Sequence, residues 1–130
     1  MRTLIVEDDF TSRLLLKKLL KNYGTSDLAV NGAEGVEAVR AALEAGEPYD
    51  LICLDIVMPE MDGHEALTRI RQLEAAMGFD GPRRAKIVMT TALADAGNVV
   101  KARAQCDQYL AKPIHPSKFL ETLRKLALIE

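Results

Sequence analysis

Short apolar runs alternate along the chain with longer stretches in which apolar residues recur at helical spacing. The runs Leu4–Val6, Leu51–Leu54 and Ile87–Met89 are apolar at every position, which is typical of parallel strands covered on both faces. Weaker strands are predicted at about Asp27–Val30 and at Tyr109–Leu110. The pattern therefore predicts five strands, each followed by a helical stretch.

The five helical stretches each carry an apolar stripe suited to packing on a sheet. The core-facing residues are predicted to be Leu15, Leu16, Leu19, Leu20 and Tyr23, then Val36, Val39 and Leu43, then Leu67, Ile70, Leu73 and Met77, then Val99 and Val100, and finally Phe119, Leu120, Leu123 and Leu126. Asn31 and Asp62 are predicted N-caps, each with a glutamate three residues later that favours a capping box. The fourth helix, Asp95–Ala104, has the thinnest apolar face and is expected to be the least firmly anchored.

Strands that alternate with helices predict a parallel sheet, wound by right-handed crossovers and covered by helices on both faces. A chain of 130 residues suffices for one compact domain and is too short for two ordinary ones. We therefore expect a single α/β domain over residues 1–130.

Composition and charge exclude several classes of protein. Hydrophobic residues make up 48% of the chain and charged residues 28%, a balance typical of globular rather than disordered proteins. A formal net charge of −2 provides no general basic field, so direct binding of nucleic acid is not expected. No apolar run is long enough for membrane insertion, and Glu7 comes too early for a signal peptide. Cys53 and Cys106 match no metal or redox spacing, which favours reduced thiols in a cytoplasmic protein.

Polar residues that can support chemistry follow four of the five predicted strands. They are Glu7, Asp8 and Asp9 after the first strand, Asp55 after the third, Thr91 after the fourth and Lys112 after the fifth. Because ligand sites in open α/β sheets form beyond the carboxyl ends of the strands, we expect these side chains to converge at that edge, here called the carboxyl edge. Clustered carboxylates repel one another and favour a cation such as Mg²⁺. A carboxylate nucleophile assisted by a metal ion and an ammonium group is suited to accepting a phosphoryl group.

Four motifs, in the same order along the chain, resemble those of response-regulator receiver domains of two-component signalling. They are Val6-Glu7-Asp8, the run DIVMPEMDG from Asp55 to Gly63, Thr91-Ala92, and the run YLAKP from Tyr109 to Pro113. Together they cover essentially the whole chain. The resemblance implies the doubly wound (βα)5, flavodoxin-like fold of single-domain, CheY-like proteins, with five parallel strands in the order 2-1-3-4-5.

The resemblance also implies roles for the residues at the carboxyl edge. Asp55 would accept the phosphoryl group. Asp8 would bind Mg²⁺ directly and Glu7 mainly through a water molecule, and the backbone carbonyl of Val57 would complete the protein ligands. Lys112 would pair with the phosphoryl group, and the Lys112–Pro113 peptide bond is expected to be cis.

Two further residues match the positions of a conformational switch in this family. Thr91 would hydrogen-bond the phosphoryl group, and Tyr109 would turn inward as Thr91 moves. A static, half-buried role for Tyr109 remains an alternative. Thr90 competes with Thr91 as the site hydroxyl, but Thr91 is favoured because it precedes Ala92 and because strand alternation sends the two side chains to opposite faces.

The resemblance implies a signalling switch rather than a classical enzyme: a phosphoacceptor that catalyses only its own phosphoryl transfer and a slow self-dephosphorylation. A sensor histidine kinase or a phosphotransfer protein would supply the phosphoryl group. The phosphorylated form would bind a downstream effector protein through the face made by the fourth helix, the fifth strand and the fifth helix. No output domain follows in the chain, so we expect it to act on another protein unless it is a piece of a longer one.

Competing functions are disfavoured by single positions. A haloacid-dehalogenase-like phosphohydrolase needs a second acid where Val57 stands, and a flavodoxin-type module needs a phosphate-binding loop where three acids follow the first strand. A degenerate docking module is disfavoured because every matched motif position is intact. Val57 and Leu93 are both apolar and cannot orient an attacking water, which predicts slow loss of the phosphoryl group.

Other positions are interpreted more simply. His64 and His115 are expected to be surface or capping residues, and Asp9 an ordinary solvated acid. The connection from Glu74 to Ala85 is longer than is usual in this family, and its role is left open. A weak excess of basic residues near the end of the chain favours either an acidic partner or a solvated face: Lys101, Arg103, Lys118, Arg124 and Lys125.

Overall fold

Five parallel strands form the central sheet, in the order β2-β1-β3-β4-β5. They are β1 (Arg2–Val6), β2 (Thr25–Ala29), β3 (Leu51–Asp55), β4 (Lys86–Ala92) and β5 (Gln108–Lys112). The computed structural model describes residues 1–92 and 105–130. Within those residues the helices are α1 (Phe10–Leu20), α2 (Gly32–Glu44), α3 (Gly63–Ala76) and α4 (Pro116–Lys125). The predicted strand order and doubly wound architecture are confirmed.

One predicted element falls outside the described residues. It is the fourth helix, Asp95–Ala104, with its apolar residues Val99 and Val100 and its basic residues Lys101 and Arg103. Leu93, whose apolar character entered the prediction of slow dephosphorylation, also lies outside them.

Strand alternation divides the core into two layers. One side of the sheet packs on α2 and α3, and its buried residues include Val6, Leu54 and Met89. The other side packs on α1 and α4, and its buried residues include Ile5, Cys53 and Val88. The apolar runs therefore mark strands covered on both faces, as predicted. All five residues of β3 are buried, which fixes the strand that ends at Asp55 in the centre of the sheet.

The edge strand β2 differs from its predicted bounds. The sequence pattern favoured Asp27–Val30, whereas the strand spans Thr25–Ala29 because it pairs along the whole of β1, from Arg2 with Thr25 to Val6 with Ala29. Of its five residues only Ala29 is fully buried. An edge strand with exposed polar residues has little apolar pattern, so its start could not be located from hydrophobicity alone.

The predicted N-caps of α2 and α3 are confirmed. The Asn31 side chain accepts a hydrogen bond from the Glu34 N–H at 2.8 Å, and the Asp62 side chain accepts one from the Glu65 N–H at 2.9 Å. The Glu34 carboxylate in turn accepts from the N–H of Val30, one residue before the cap. These caps satisfy backbone donors that the first helical turns leave unpaired.

Within the described residues no helix is both long and apolar enough to cross a membrane. Cys53 and Cys106 are both free thiols. Burial raises the pKa of Cys53 to about 12, so this thiol stays neutral and serves as a packing residue of β3.

Candidate functional site

Three polar side chains form a row across the carboxyl edge of the sheet. Asp55 ends β3 and lies in register with Thr90 of β4. On its other side, Glu7 follows directly after the register pair of Val6 and Leu54. The exposed fractions are 1% for Glu7, 4% for Asp55 and 1% for Thr90, so the row is removed from water although it lies at the end of the strands.

Lys112 spans two members of this row from the end of β5. Its Nζ lies 3.0 Å from Oε2 of Glu7 and 3.2 Å from Oδ2 of Asp55, and it donates to Oε1 of Glu7 at 3.1 Å. The lysine and Glu7 are 105 residues apart in the sequence. The Lys112–Pro113 peptide bond is cis, as predicted. The sheet thus brings together the acids and the ammonium group that the strand ends predicted.

Asp8 completes an acidic cluster at this edge. One carboxylate oxygen from each of Glu7, Asp8 and Asp55 lies within 4.8 Å of the others. Asp8 is exposed whereas the other two are buried, so the cluster opens to solvent on the side of Asp8. Mg²⁺ is usually bound through one or two carboxylates together with water and phosphate oxygens. The residues present therefore fit this ion.

Three carboxylates around one ammonium group leave the cluster short of positive charge. The pKa of Asp55 is raised to about 7: burial is the largest cause, the hydrogen bond and charge of Glu7 add to it, and the ammonium of Lys112 opposes them only in part. Burial alone would lower the pKa of Lys112, but the carboxylates of Glu7 and Asp55 outweigh that effect and raise it. Lys112 thus remains a cation, and a second cation would relieve the repulsion between the carboxylates.

Val57 lies in the loop that follows Asp55, and its side chain is 63% exposed. An apolar side chain is thereby presented to solvent next to the acidic cluster. The proposed role of its backbone carbonyl as a metal ligand stays a prediction.

The two predicted switch residues lie on the same face of the sheet. Tyr109 is in register with Met89, and Thr91 stands two residues further along β4. Since side chains two residues apart leave the same face of a strand, Thr91 and Tyr109 both belong to the face that carries Met89 and packs on α2 and α3. Thr91 is buried and Tyr109 is partly buried against that core layer. Their roles in switching stay a prediction.

The first turn of α3 packs tightly against the backbone of Asp55. The Gly63 N–H donates to the carbonyl of Ile56 at 2.8 Å. A Cβ atom at Gly63 would lie 2.7 Å from Cα of Ile56 and would collide with the carbonyl oxygen of Asp55. The glycine that ends the DIVMPEMDG run is therefore required for the helix to support the end of β3.

Asp9 and the two histidines have structural positions. Asp9 is the N-cap of α1: its carboxylate accepts hydrogen bonds from the Ser12 N–H and hydroxyl. His115 is exposed and occupies the N-cap position of α4. His64 is 8% exposed, so its interpretation as a surface residue is wrong. The close approach of Gly63 to β3 draws the start of α3 onto the sheet, and His64 is buried with it.

A buried polar network at the opposite edge of the sheet was missed by the sequence analysis. At this amino edge, where β4 and β5 begin, Arg71 pairs with Glu74 at 2.8 Å and with Asp107 at 3.1 Å. Its guanidinium group also donates to the backbone carbonyls of Gln105 and Ala85, both at 2.8 Å. Charged residues in a helix normally indicate a solvated face. Every residue has a backbone carbonyl, so a sequence does not show which carbonyls accept hydrogen bonds from an arginine.

The same network closes the long connection that was predicted between α3 and β4. Glu74 is 3% exposed, and its carboxylate accepts a hydrogen bond from the Ala85 N–H at 2.7 Å. The connection therefore begins and ends at one buried contact, and a short 3-10 turn, Gly81–Arg83, lies between.

The sequence of this chain is similar to those of known proteins. The family model described as the response regulator receiver domain matches residues 3–124. The chain belongs to this family. Among curated relatives, the two-component response regulator ORR41 of Oryza sativa subsp. japonica is 37% identical over 128 residues, which cover 98% of this chain and 94% of ORR41. The hybrid signal transduction histidine kinase B of Dictyostelium discoideum is 38% identical over 92% of this receiver, which spans only 6% of that kinase.

Solved structures share the fold of this receiver. The receiver domain of the histidine kinase CKI1 from Arabidopsis thaliana, complexed with Mg²⁺ and BeF3⁻, has a TM-score of 0.82 and 28% identity, covering 97% of this chain and 89% of that one. The co-crystal structure of Saccharomyces cerevisiae Ypd1, a histidine phosphotransfer protein, with the receiver domain of Ssk1 matches with a TM-score of 0.81 and 27% identity. That match covers 96% of this receiver and 87% of the other chain.

Proposed function

We propose that this receiver is a switch of two-component signalling that accepts a phosphoryl group on Asp55. The observation that supports it most directly is the position of Lys112, whose ammonium group lies 3.2 Å from Oδ2 of Asp55 inside a cluster of three carboxylates. A buried carboxylate with an ammonium group beside it, in an acidic cluster that fits Mg²⁺, is suited to attack on a phosphoryl group. Residues 1–130 are proposed to form one such domain.

The proposed transfer is a displacement at phosphorus. An oxygen of the Asp55 carboxylate forms a bond to the phosphorus as the bond between phosphorus and the donor atom breaks, and the donor leaves with that electron pair. Lys112 neutralises charge on the phosphoryl oxygens. Mg²⁺ held by Asp8 and Asp55, by Glu7 through water and by the carbonyl of Val57 would supply further neutralising charge.

Phosphorylation would then be transmitted through Thr91 and Tyr109. The phosphoryl group adds roughly two negative charges and three acceptor oxygens at neutral pH, to which the Thr91 hydroxyl would donate. Thr91 and Tyr109 share one face of adjacent strands, so a movement of the threonine frees or fills the space into which the tyrosine turns. The proposed outcome is a changed surface that is made by the predicted helix Asp95–Ala104, by β5 and by α4 (Pro116–Lys125). A downstream effector protein would bind to this surface.

The proposed phosphodonor is a sensor histidine kinase or a phosphotransfer protein. Support comes from the similarity to a receiver bound to the phosphotransfer protein Ypd1 and to a segment of hybrid histidine kinase B. We propose a cytoplasmic protein that neither binds nucleic acid directly nor inserts into a membrane. We further propose that it catalyses its own dephosphorylation only slowly, since the exposed Val57 side chain beside the site cannot position water.

The proposal is tested by incubation with acetyl phosphate and Mg²⁺, followed by intact-protein mass spectrometry. The wild type should gain the mass of one phosphoryl group, and Asp55→Asn should gain none. Asp50→Asn is the matched control, because this exposed aspartate lies before β3 and outside the cluster. Full retention of phosphorylation in Asp55→Asn would refute the assignment of the acceptor.

A further inference from the structure

The loop between β1 and α1 presents two of the three acids of the cluster, Glu7 and Asp8. The Glu7 carboxylate is held from two sides, by Nζ of Lys112 at 3.0 Å and by the N–H of Asp9, which donates to Oε1 at 3.2 Å. The Asp8 side chain is exposed, and within residues 1–92 and 105–130 its carboxylate makes no hydrogen bond or ion pair. The direction of this side chain therefore depends on the backbone of the loop.

Arg13 holds that backbone in place. It lies near the start of α1, and its Nη1 donates to the carbonyl oxygen of Glu7 at 2.9 Å and to that of Asp8 at 3.0 Å. The guanidinium carbon lies 5.8 Å from the centre of the Phe10 ring, which packs over the cation. Because the helix dipole disfavours a cation near the start of a helix, the stability of α1 itself does not account for an arginine at this position.

The two carbonyl groups that Arg13 binds lie on either side of Cα of Asp8. The carbonyl of Glu7 belongs to the planar peptide group before Asp8, and the carbonyl of Asp8 belongs to the one after it. Since φ and ψ are the only soft backbone dihedral angles of a residue, fixing both planes fixes the direction in which Cβ of Asp8 leaves the chain. Mg²⁺ demands near-ideal octahedral geometry, so an exposed ligand gains affinity from a fixed direction.

The positive charge of Arg13 is directed at carbonyl groups rather than at carboxylates. Within the part of the chain that the structure describes, Arg13 forms no ion pair with the acidic cluster, which Lys112 alone engages. The carboxylate oxygens of Asp8 thus stay available to a metal ion. An arginine paired with them would compete with that ion.

We propose that Arg13 is a positioning residue that holds Asp8 in the direction required for binding Mg²⁺. This inference rests on the proposed function, in which Asp8 binds the ion directly. Residues that orient a metal ligand typically contribute about ten-fold or more to metal affinity. Replacement of Arg13 should therefore weaken Mg²⁺ binding, whereas the loss of a positive charge would by itself strengthen it.

Arg13→Met and Lys17→Met test the proposal against the wild type. Both changes remove one positive charge from α1, and Lys17 lies one turn further along the helix with its side chain exposed. The dissociation constant for Mg²⁺ is measured by isothermal titration calorimetry, and the stability of each protein by urea denaturation. Arg13→Met should bind Mg²⁺ about ten-fold more weakly. Lys17→Met should bind within about two-fold of the wild type, because an exposed charge is screened.

Arg13→Lys is a second variant that remains informative if Arg13→Met does not fold. It keeps the positive charge but lacks the planar guanidinium donor group. It should also bind Mg²⁺ more weakly than the wild type. An unchanged affinity in both variants, or in Arg13→Lys when it alone folds, would overturn the proposal.

The outcomes separate this inference from the proposed function. If the wild type does not bind Mg²⁺, the proposed metal site fails and the role of Arg13 fails with it. If the wild type binds the ion and Arg13→Met loses stability but no affinity, the arginine is structural and this inference alone is overturned. Tighter binding by Arg13→Met would assign its effect to charge and would overturn the inference as well.

Discussion

The two edges of the sheet hold their charges in different ways. At the amino edge two guanidinium groups face two largely buried carboxylates, and backbone carbonyls and N–H groups complete the network: Arg71, Arg84, Glu74 and Asp107. At the carboxyl edge one ammonium group faces three carboxylates: Lys112, Glu7, Asp8 and Asp55. The first edge is balanced by the protein itself, whereas the second is not.

This difference separates a structural network from a reactive one. Buried charges that are fully paired hold elements together and have no capacity left for a ligand. Buried carboxylates in excess repel one another, and an incoming cation relieves that repulsion, which is the condition for binding a metal ion. The balance of charge within a buried cluster is therefore a better guide to its role than the number of charges.

The largest expected decrease in the free energy of unfolding follows the replacement of Arg71. Arg71→Met leaves the buried Glu74 without a cationic partner and Asp107 with Arg84 alone, and the free energy of unfolding should fall by about 3–5 kcal/mol. Arg69→Met removes an exposed pair on the same helix and should cost about 0.5 kcal/mol or less. Urea denaturation compares the two variants. Equal losses would contradict a structural role for the amino edge.

A smaller effect is expected when Lys112 is replaced. Without Mg²⁺, Lys112→Met should lower the free energy of unfolding by about 2 kcal/mol, because Glu7 and Asp55 lose a charge-assisted hydrogen bond. Added Mg²⁺ should recover more stability in this variant than in the wild type, since the ion replaces the missing positive charge. Thermal unfolding with and without Mg²⁺ measures this, with Lys118→Met on exposed α4 surface as control. An equal gain from Mg²⁺ in both proteins would contradict the charge deficit.

Gly63→Ala tests the contact that supports the end of β3. The added methyl group collides with the backbone of Asp55 and Ile56, so the free energy of unfolding should fall by about 1.5 kcal/mol. Phosphorylation by acetyl phosphate should slow, because Asp55 is displaced. Gln72→Ala, at an exposed position of the same helix, should change neither quantity. Wild-type stability in Gly63→Ala would show that α3 moves freely away from the strand.

The pH dependence of stability should reveal the repulsion at Asp55. The pKa of this carboxyl is raised in the folded protein from 3.8 to about 7, so the folded state binds the proton more tightly than the unfolded state. This contribution to stability is therefore present at low pH and is lost as the pH rises through about 7. The loss should be about 1 kcal/mol or more, because each unit by which a pKa is raised corresponds to about 1.4 kcal/mol. Melting temperatures at several pH values, without Mg²⁺, should show this slope in the wild type and not in Asp55→Asn.

The smallest effect is expected on the lifetime of the phosphoryl group. We predict that Val57→Asn combined with Leu93→Glu accelerates self-dephosphorylation a few-fold, less than about 1 kcal/mol in the barrier, because polar side chains can orient an attacking water and apolar ones cannot. Loss of the phosphoryl mass with time in Mg²⁺ measures the rate. An unchanged lifetime would show that these two positions do not limit access of water.

The carboxyl edge was predictable from the sequence, and the amino edge was not. Each acid and the lysine stand at the end of a strand or just after it, and parallel strands bring their carboxyl ends to one edge, so order along the chain sufficed for Glu7, Asp55 and Lys112. Arg71 depends on carbonyl acceptors and on a register that no residue pattern encodes. Among the described residues, the Thr90 hydroxyl is buried without a hydrogen-bond partner. The sequence analysis considered Thr90 only as a rival of Thr91, because a sequence does not distinguish a hydrogen-bonded hydroxyl from an unpaired one.

The separation of 105 positions between Glu7 and Lys112 has a consequence for folding. The acidic cluster cannot be completed by any contiguous part of the chain, since its ammonium group comes from the last strand and its acids from the first and third. A nascent or partly unfolded chain that lacks β5 has the carboxylates of the cluster without the ammonium group of Lys112. Under the proposed function, such a chain would accept a phosphoryl group only after β5 has joined the sheet.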